Sequence, residues 1–198
     1  MPEASVAGGS FAHWLPHPDT VTPPQRARLV EDARREATGS CLTDLLVRLG
    51  IRAIEPARLA SGAREWPRGY TGSVSHKGTT VVAAITSIER APSIGVDVER
   101  LDADGAPAIP GLSAAEQPWS VSDAAGRTIV LSVKEAAYKA LHPILRHRLR
   151  FADVAVSWLR HDPSCSRGVA RACGITLDMR CSIAVPSWIV SAACARPS

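Results

Sequence analysis

Ile94-Gly95-Val96-Asp97-Val98-Glu99-Arg100 alternates apolar and acidic residues. That is the period of a strand, so Asp97 and Glu99 share one face while Val96 and Val98 share the other. Two carboxylates about 4 Å apart repel by roughly 4 kcal/mol at an effective dielectric of about 20. The face is therefore either a wet strand end with Arg100 balancing a charge, or the seat of a cation. A second set lies in Lys134-Glu135-Ala136-Ala137-Tyr138-Lys139. Glu135 and Lys139 are four apart and share a helix face. Alone they make a surface ion pair, which contributes little. Converging with Asp97 and Glu99, Glu135 completes an oxygen ligand set for a hard cation such as Mg²⁺, and a lysine beside it can hold a phosphate as a point charge. The combined set suits phosphoryl transfer from a pyrophosphate. Ser75-His76 stands beside a Lys77-Gly78 turn. It either makes local hydrogen bonds or lines an anion pocket with backbone N–H groups.

These residues need elements to position them. Thr22-Pro23-Pro24-Gln25 has a capping residue, prolines and a capping-box glutamine, and predicts a helix start. Apolar residues at helical spacing carry that helix from Pro24 to Leu49, with a break or kink at Gly39 and Gly50 as its C-terminal cap. A short strand within Tyr70 to His76, a Lys77-Gly78 turn, a strand over Thr79 to Ile88, and the Asp97 strand follow. Leu101 to Gly111, with two prolines and two glycines, is the expected linker. Ser132 and Glu135 form a capping-box pattern for a helix within Ile129 to Leu141, with Pro143 disfavouring its continuation and a resumption through Arg150 as the alternative. Phe151 to Leu159, Gly174 to Ser182 and Ser187 to Ala195 are expected strands. The irregular stretch Ile51 to Gly69 must run over the surface or contact a ligand. Residues 1 to 21 are expected to be a surface arm with an ordered piece at Phe11 to Leu15. The order of elements predicts an α+β fold of two lobes, 1–104 and 105–198.

Composition sets the wider bounds. The 198 residues carry a net charge of +4 and a pI near 9.0, which favours anionic partners. No Lys/Arg-rich block appears, which argues against nucleic acid. Five cysteines without a CxxC pair predict neither a zinc site nor a disulfide framework, and fit a reducing cytoplasm. The sequence shows neither a signal-peptide pattern nor an apolar run long enough to span a membrane.

Taken in order, Trp66-Pro67-Arg68-Gly69, Gly72-Ser73-Val74-Ser75-His76, Gly95-Val96-Asp97-Val98-Glu99 and Leu131-Ser132-Val133-Lys134-Glu135-Ala136-Ala137-Tyr138-Lys139 resemble the 4′-phosphopantetheinyl transferases of the Sfp/EntD type. Phe151-Ala152-Asp153-Val154 also falls where that family has a similar strand, and the likeness covers about Arg26 to Val156. The resemblance implies a monomer of two pseudo-symmetric α/β lobes with coenzyme A in the cleft between them. It also implies Mg²⁺, with Mn²⁺ as the alternative. The expected reaction moves the 4′-phosphopantetheine arm of coenzyme A to a serine of an acidic apo carrier protein, such as a carrier domain of a nonribosomal peptide or polyketide synthase, with siderophore and other secondary metabolism favoured. Carried over residue by residue, Asp97, Glu99 and Glu135 resemble the metal ligands. Glu135 also resembles the base for the carrier serine, directly or through a water. Lys139 is similar to the lysine on the pyrophosphate. Lys134 and His76 resemble residues near the coenzyme phosphates, with Ser75 assisting, and Arg64 resembles a contact to the nucleotide or its 3′-phosphate. Relatives often carry two arginines in the first helical region, where this chain has Ser40 and Thr43-Asp44; Arg34, Arg35 and Arg48 are the expected substitutes. The apolar segment from Leu112 to Val121, with Trp119, is the expected carrier contact. Two other readings compete. One is a non-catalytic relative that binds coenzyme A or a carrier; the other is a metal-dependent nuclease, disfavoured by the helical spacing of Glu135 and Lys139 and by the missing basic patch.

Overall fold

A computed structural model describes residues 5–10, 22–52, 56–59, 63–101, 112, 116, 124–145, 149–160, 165–184 and 188–195. The α+β class holds: the described residues form two antiparallel sheets and two α-helices, with a short 3₁₀ turn. Strand β1 (Ser5–Ser10) leads to helix α1 (Pro23–Arg48), then to β2 (Tyr70–Lys77), β3 (Thr80–Ser87) and β4 (Ile94–Arg100). Helix α2 (Ala124–Leu145) and the 3₁₀ turn Phe151–Asp153 precede β5 (Ala155–Arg160), β6 (Cys165–Ala172), β7 (Ile175–Ala184) and β8 (Trp188–Ala195). The first sheet has the order β1-β3-β2 and the second β4-β8-β7-β6-β5.

Helix α1 starts where its sequence dictates. Thr22 donates from both its backbone N–H and its hydroxyl to Gln25 Oε1, at 2.9 and 2.8 Å. Gly50 ends the helix in the left-handed region at φ 68° and donates to the Val47 carbonyl. The expected break at Gly39 does not occur; the helix runs through it. A mid-helix glycine costs about 1 kcal/mol against alanine, and burial of Leu42, Leu45 and Leu46 against Ala83 and Ile85 of β3 outweighs that.

The even residues of β3 turn the other way. Val82 and Ala84 pack against Ile94, Val96 and Val98 of β4 and Cys194 of β8. The odd residues of β4 face α2. At Gly95 an added Cβ would lie 1.9 Å from the Ala136 carbonyl oxygen and 2.6 Å from the Ala140 nitrogen. The layers around β4 are thus α1, first sheet, second sheet, α2. Gly95→Ala is expected to destabilise the fold by at least about 3 kcal/mol, since backbone rather than a flexible side chain must give way. Urea unfolding measures this, and an unchanged midpoint would refute the close approach.

Three expectations need correction. Helix α2 begins at Ala124, well before Ser132, and passes through Pro143 to Leu145. Ser132 and Glu135 therefore lie in its interior, and their capping-box spacing caps nothing. The segment from Phe151 opens with a 3₁₀ turn before its strand, and β6 is a strand the pattern did not announce. The pairing of β1 with β3 replaces the expected arm at its first described residues. Phe11 to Leu15 and Trp119 lie outside the described residues, as does nearly all of the expected linker.

Candidate active site

Strands β2 and β4 stand at edges of different sheets, and their side chains join the two. Ser73 Oγ accepts from the Val96 N–H at 3.1 Å. Ser75 Oγ donates to Asp97 Oδ1 at 2.8 Å. Lys77 Nζ lies 2.6 Å from Glu99 Oε2. The three contacts climb both strands in the same order, because alternate residues of β2 share a face.

Helix α2 closes the other side. Lys139 Nζ donates to Asp97 Oδ1 at 2.8 Å, to Ser75 Oγ at 2.9 Å and to the Val96 carbonyl at 3.2 Å. Gly95 permits this reach by letting the helix backbone settle on the strand. Asp97 is buried, and its Oδ2 has no hydrogen-bond partner. Glu135, half-buried one turn before Lys139, has its carboxyl pushed above the usual range. Burial is the main cause and the charge of Asp97 the next; Lys139 opposes and Glu99 adds to the rise. The charges of Asp97 and Glu99 thus reach Glu135 across the strand–helix contact. Among the described residues, no three His, Cys, Asp or Glu side chains form a ready-made metal cluster; Lys139 and Lys77 stand on two of the carboxylates instead.

The opposite face of β2 looks onto a cavity of about 460 Å³ lined by Glu31, Arg34, Arg35, Thr38 and residues beyond α1 that include Arg58, Arg64 and His76. The four α1 positions fall on one helix face. Arg64 donates to the Pro56 carbonyl at 3.0 Å, and Arg58 and Arg64 pair across an isolated antiparallel bridge, so this irregular stretch presents both guanidiniums together. His76 is held below the usual imidazole range, chiefly by burial, then by Arg34, Lys139 and Arg58, against a smaller pull from Asp97. An anion there would meet an excess of positive charge. Arg34 also pairs with Glu31.

The structure therefore brings together Asp97, Glu99, Glu135, Lys139 and Ser75 on one side of β2, and Arg64 and His76 on the other. Arg34 and Arg35 line the cavity, while Arg48 is exposed in the last turn of α1 and does not. Ser40 and Thr43 are exposed on α1. Arg58 was missed; it has no periodicity to mark it, and only its place in the irregular stretch hinted at ligand contact. Lys134 does not join either group. It is fully buried, with Nζ 3.2 and 3.0 Å from the oxygens of an equally buried Glu116, so no phosphate reaches its ammonium. Trp66 packs over Gly72, where an added Cβ would come within 2.6 Å of the indole.

Residues 93–179, from the start of β4 into β7, match the family model described as the 4′-phosphopantetheinyl transferase superfamily. The chain is 29% identical over 180 residues to the 4′-phosphopantetheinyl transferase Npt of Nocardia iowensis, covering 82% of this chain and 78% of that protein. It is 31% identical over 139 residues to enterobactin synthase component D of Salmonella typhi, covering 64% of this chain and 54% of that protein. The chain is thus similar to 4′-phosphopantetheinyl transferases, most specifically over residues 93–179, and the likeness supports reading it as an enzyme of that class. No helix among the described residues is long and apolar enough to cross a membrane.

Proposed function

We propose that this protein transfers the 4′-phosphopantetheine arm of coenzyme A to a serine hydroxyl of an apo carrier protein, releasing adenosine 3′,5′-bisphosphate. The observation that carries the reading is the joint at β2: a carboxylate–lysine centre on one face and an arginine-lined cavity on the other. A nucleotide with a terminal phosphate suits the cavity, and a pyrophosphate suits the rim between them.

A divalent cation fits the carboxylate side. Asp97 Oδ2 is buried without a partner, and Asp97 and Glu99 both raise the pKa of Glu135, so a positive charge among the three would relieve a strain that the protein alone does not. Mg²⁺, or Mn²⁺ in its place, would be held by Asp97, Glu99 and Glu135, and when bound would neutralise the charge that develops on the pyrophosphate oxygens. Lys139, anchored by three acceptors, is positioned to steady the leaving phosphate. Glu135 accepts the serine proton, directly or through a water. The serine oxygen forms a bond to the β-phosphorus, the pyrophosphate bridge breaks, and the bisphosphate leaves with that bridging oxygen. His76 and the arginines hold the nucleotide end, with Ser75 keeping Asp97 and Lys139 aligned.

The three-stranded sheet falls within residues 1–104 and β5 to β8 within 105–198, so we read the chain as two lobes sewn together by β4. A basic protein gains encounter rate with acidic carriers, in keeping with a monomeric, cytoplasmic enzyme serving nonribosomal peptide, polyketide or siderophore carriers. The test is intact-mass spectrometry of apo carriers incubated with protein, coenzyme A and Mg²⁺. A gain of one phosphopantetheine mass, absent with EDTA and with Glu135→Gln, is expected. Coenzyme A binding without any mass gain would instead favour a non-catalytic binding relative. Arg58→Ala is expected to raise the KM for coenzyme A roughly tenfold with little change in kcat, the loss of about one charge-assisted phosphate contact. An unchanged KM would remove Arg58 from the nucleotide site.

A further inference from the structure

Of the three contacts that join β2 to β4, the transfer chemistry uses only Ser75 with Asp97. Lys77 with Glu99 has no part in it so far. Their ion pair, at 2.6 Å, joins an ammonium that is 47% exposed to a carboxylate that is only 14% exposed. It is not a chance surface approach, because Ser73 and Ser75 fix the register of the same face of β2 four and two residues earlier. Yet Glu99 is one of the three carboxylates assigned above to a divalent cation.

We propose that Lys77 is a built-in competitor of the metal at Glu99, so that it sets the protein's metal affinity. The inference rests on reading Asp97, Glu99 and Glu135 as metal ligands. An ammonium 2.6 Å from Glu99 Oε2 and a divalent ion on the same carboxylate repel one another strongly, so the ion binds more tightly as Lys77 withdraws. Withdrawal costs little, since the ammonium is already half in water on a flexible four-carbon stem. Lys139 contrasts with it: three acceptors hold that ammonium, and it is less exposed, at 29%. Of the two lysines on the carboxylates, Lys77 is the one that yields. A consequence for specificity follows. A bare divalent ion repels the displaced ammonium more than an ion already carrying phosphate does. Lys77 thus biases the site against free metal and towards metal that arrives with a phosphate ligand.

The test titrates Mn²⁺ into the full-length protein and follows free Mn²⁺ by electron paramagnetic resonance, with and without adenosine 3′,5′-bisphosphate. Lys77→Met is expected to bind Mn²⁺ alone about fivefold tighter than wild type, the scale of a partly exposed ion pair. It should also gain less from the bisphosphate. Lys77→Arg, which keeps the competing charge, should behave as wild type. Equal or weaker Mn²⁺ binding by a folded Lys77→Met would overturn the proposal. A Glu99→Gln variant that binds Mn²⁺ as tightly as wild type would instead overturn the ligand assignment beneath it, so the two failures are distinguishable.

Discussion

Glu135→Gln is expected to lower the rate of carrier modification by about 10²–10³-fold or more, the loss of a proton acceptor and a charge in one step. The same change is expected to raise the melting temperature of the metal-free protein at neutral pH. The sign follows from the raised pKa of the Glu135 carboxyl, caused first by burial and then by Asp97, with Glu99 adding. A folded-state pKa above the unfolded value means that the protonated acid is the form the fold prefers. Its contribution is fully present below the ordinary carboxylate value of 4.5 and is lost as pH rises through the raised value. Glutamine never ionises, so in EDTA the two proteins should melt alike in acid and diverge as pH approaches neutrality, with the variant the more stable. Differential scanning fluorimetry across pH reads the divergence. Equal melting temperatures at neutral pH would show that no charge strain is stored at Glu135, and retained turnover would remove it from the chemistry.

Lys134→Met is expected to destabilise the protein by about 3–5 kcal/mol, the cost of leaving a buried charge without its partner. The stranded group is Glu116, whose Oε1 also accepts from the Val156 N–H at 2.8 Å. Glutamine at 116 keeps an acceptor for that amide while removing the charge. The double variant Lys134→Met with Glu116→Gln should therefore recover most of the loss, because a neutral pair of similar size is often as stable as a buried ion pair. Urea denaturation of both single variants and the double variant gives the coupling. Additive losses would mean that the two groups act independently of one another.

The parts of the site that rest on short-range rules were legible in the sequence. Period-two alternation put Asp97 and Glu99 on one face of β4, and helical spacing put Glu135 and Lys139 one turn apart. The ends of α1 were legible from Thr22, Gln25 and Gly50. What failed were signals that tertiary packing can override or imitate. Gly39 reads as a breaker, but the apolar face of α1 holds the helix together across it. Ser132 with Glu135 imitates a cap inside a helix that starts earlier. Lys134 was placed beside phosphates by likeness to other chains, yet Val130, Ala137 and Leu141 share its stripe of α2 and are all buried. That spacing was in the sequence and pointed inward; its partner Glu116, far off along the chain, was marked by no spacing at all. Strand β6 was silent because exposed Arg167 and Arg171 and a glycine dilute its pattern. Gly168 is there for space, since a Cβ would lie 2.6 Å from the Ser157 carbonyl. The arginine cavity was half legible, through Arg64, His76, Arg34 and Arg35, and needed the fold to add Arg58.

The meeting of β2 and β4 also bears on how the protein behaves at high concentration. A bare edge strand offers its amides and carbonyls to any other chain, and so templates intermolecular strand addition and aggregation. On β4 the outward N–H and C=O of Val96 are taken by Ser73 and Lys139. One of the two, Lys139, also aligns the reacting centre, so solubility and catalysis are coupled at this edge: loss of Lys139 would weaken the enzyme and free the Val96 carbonyl for a strand from a neighbouring molecule.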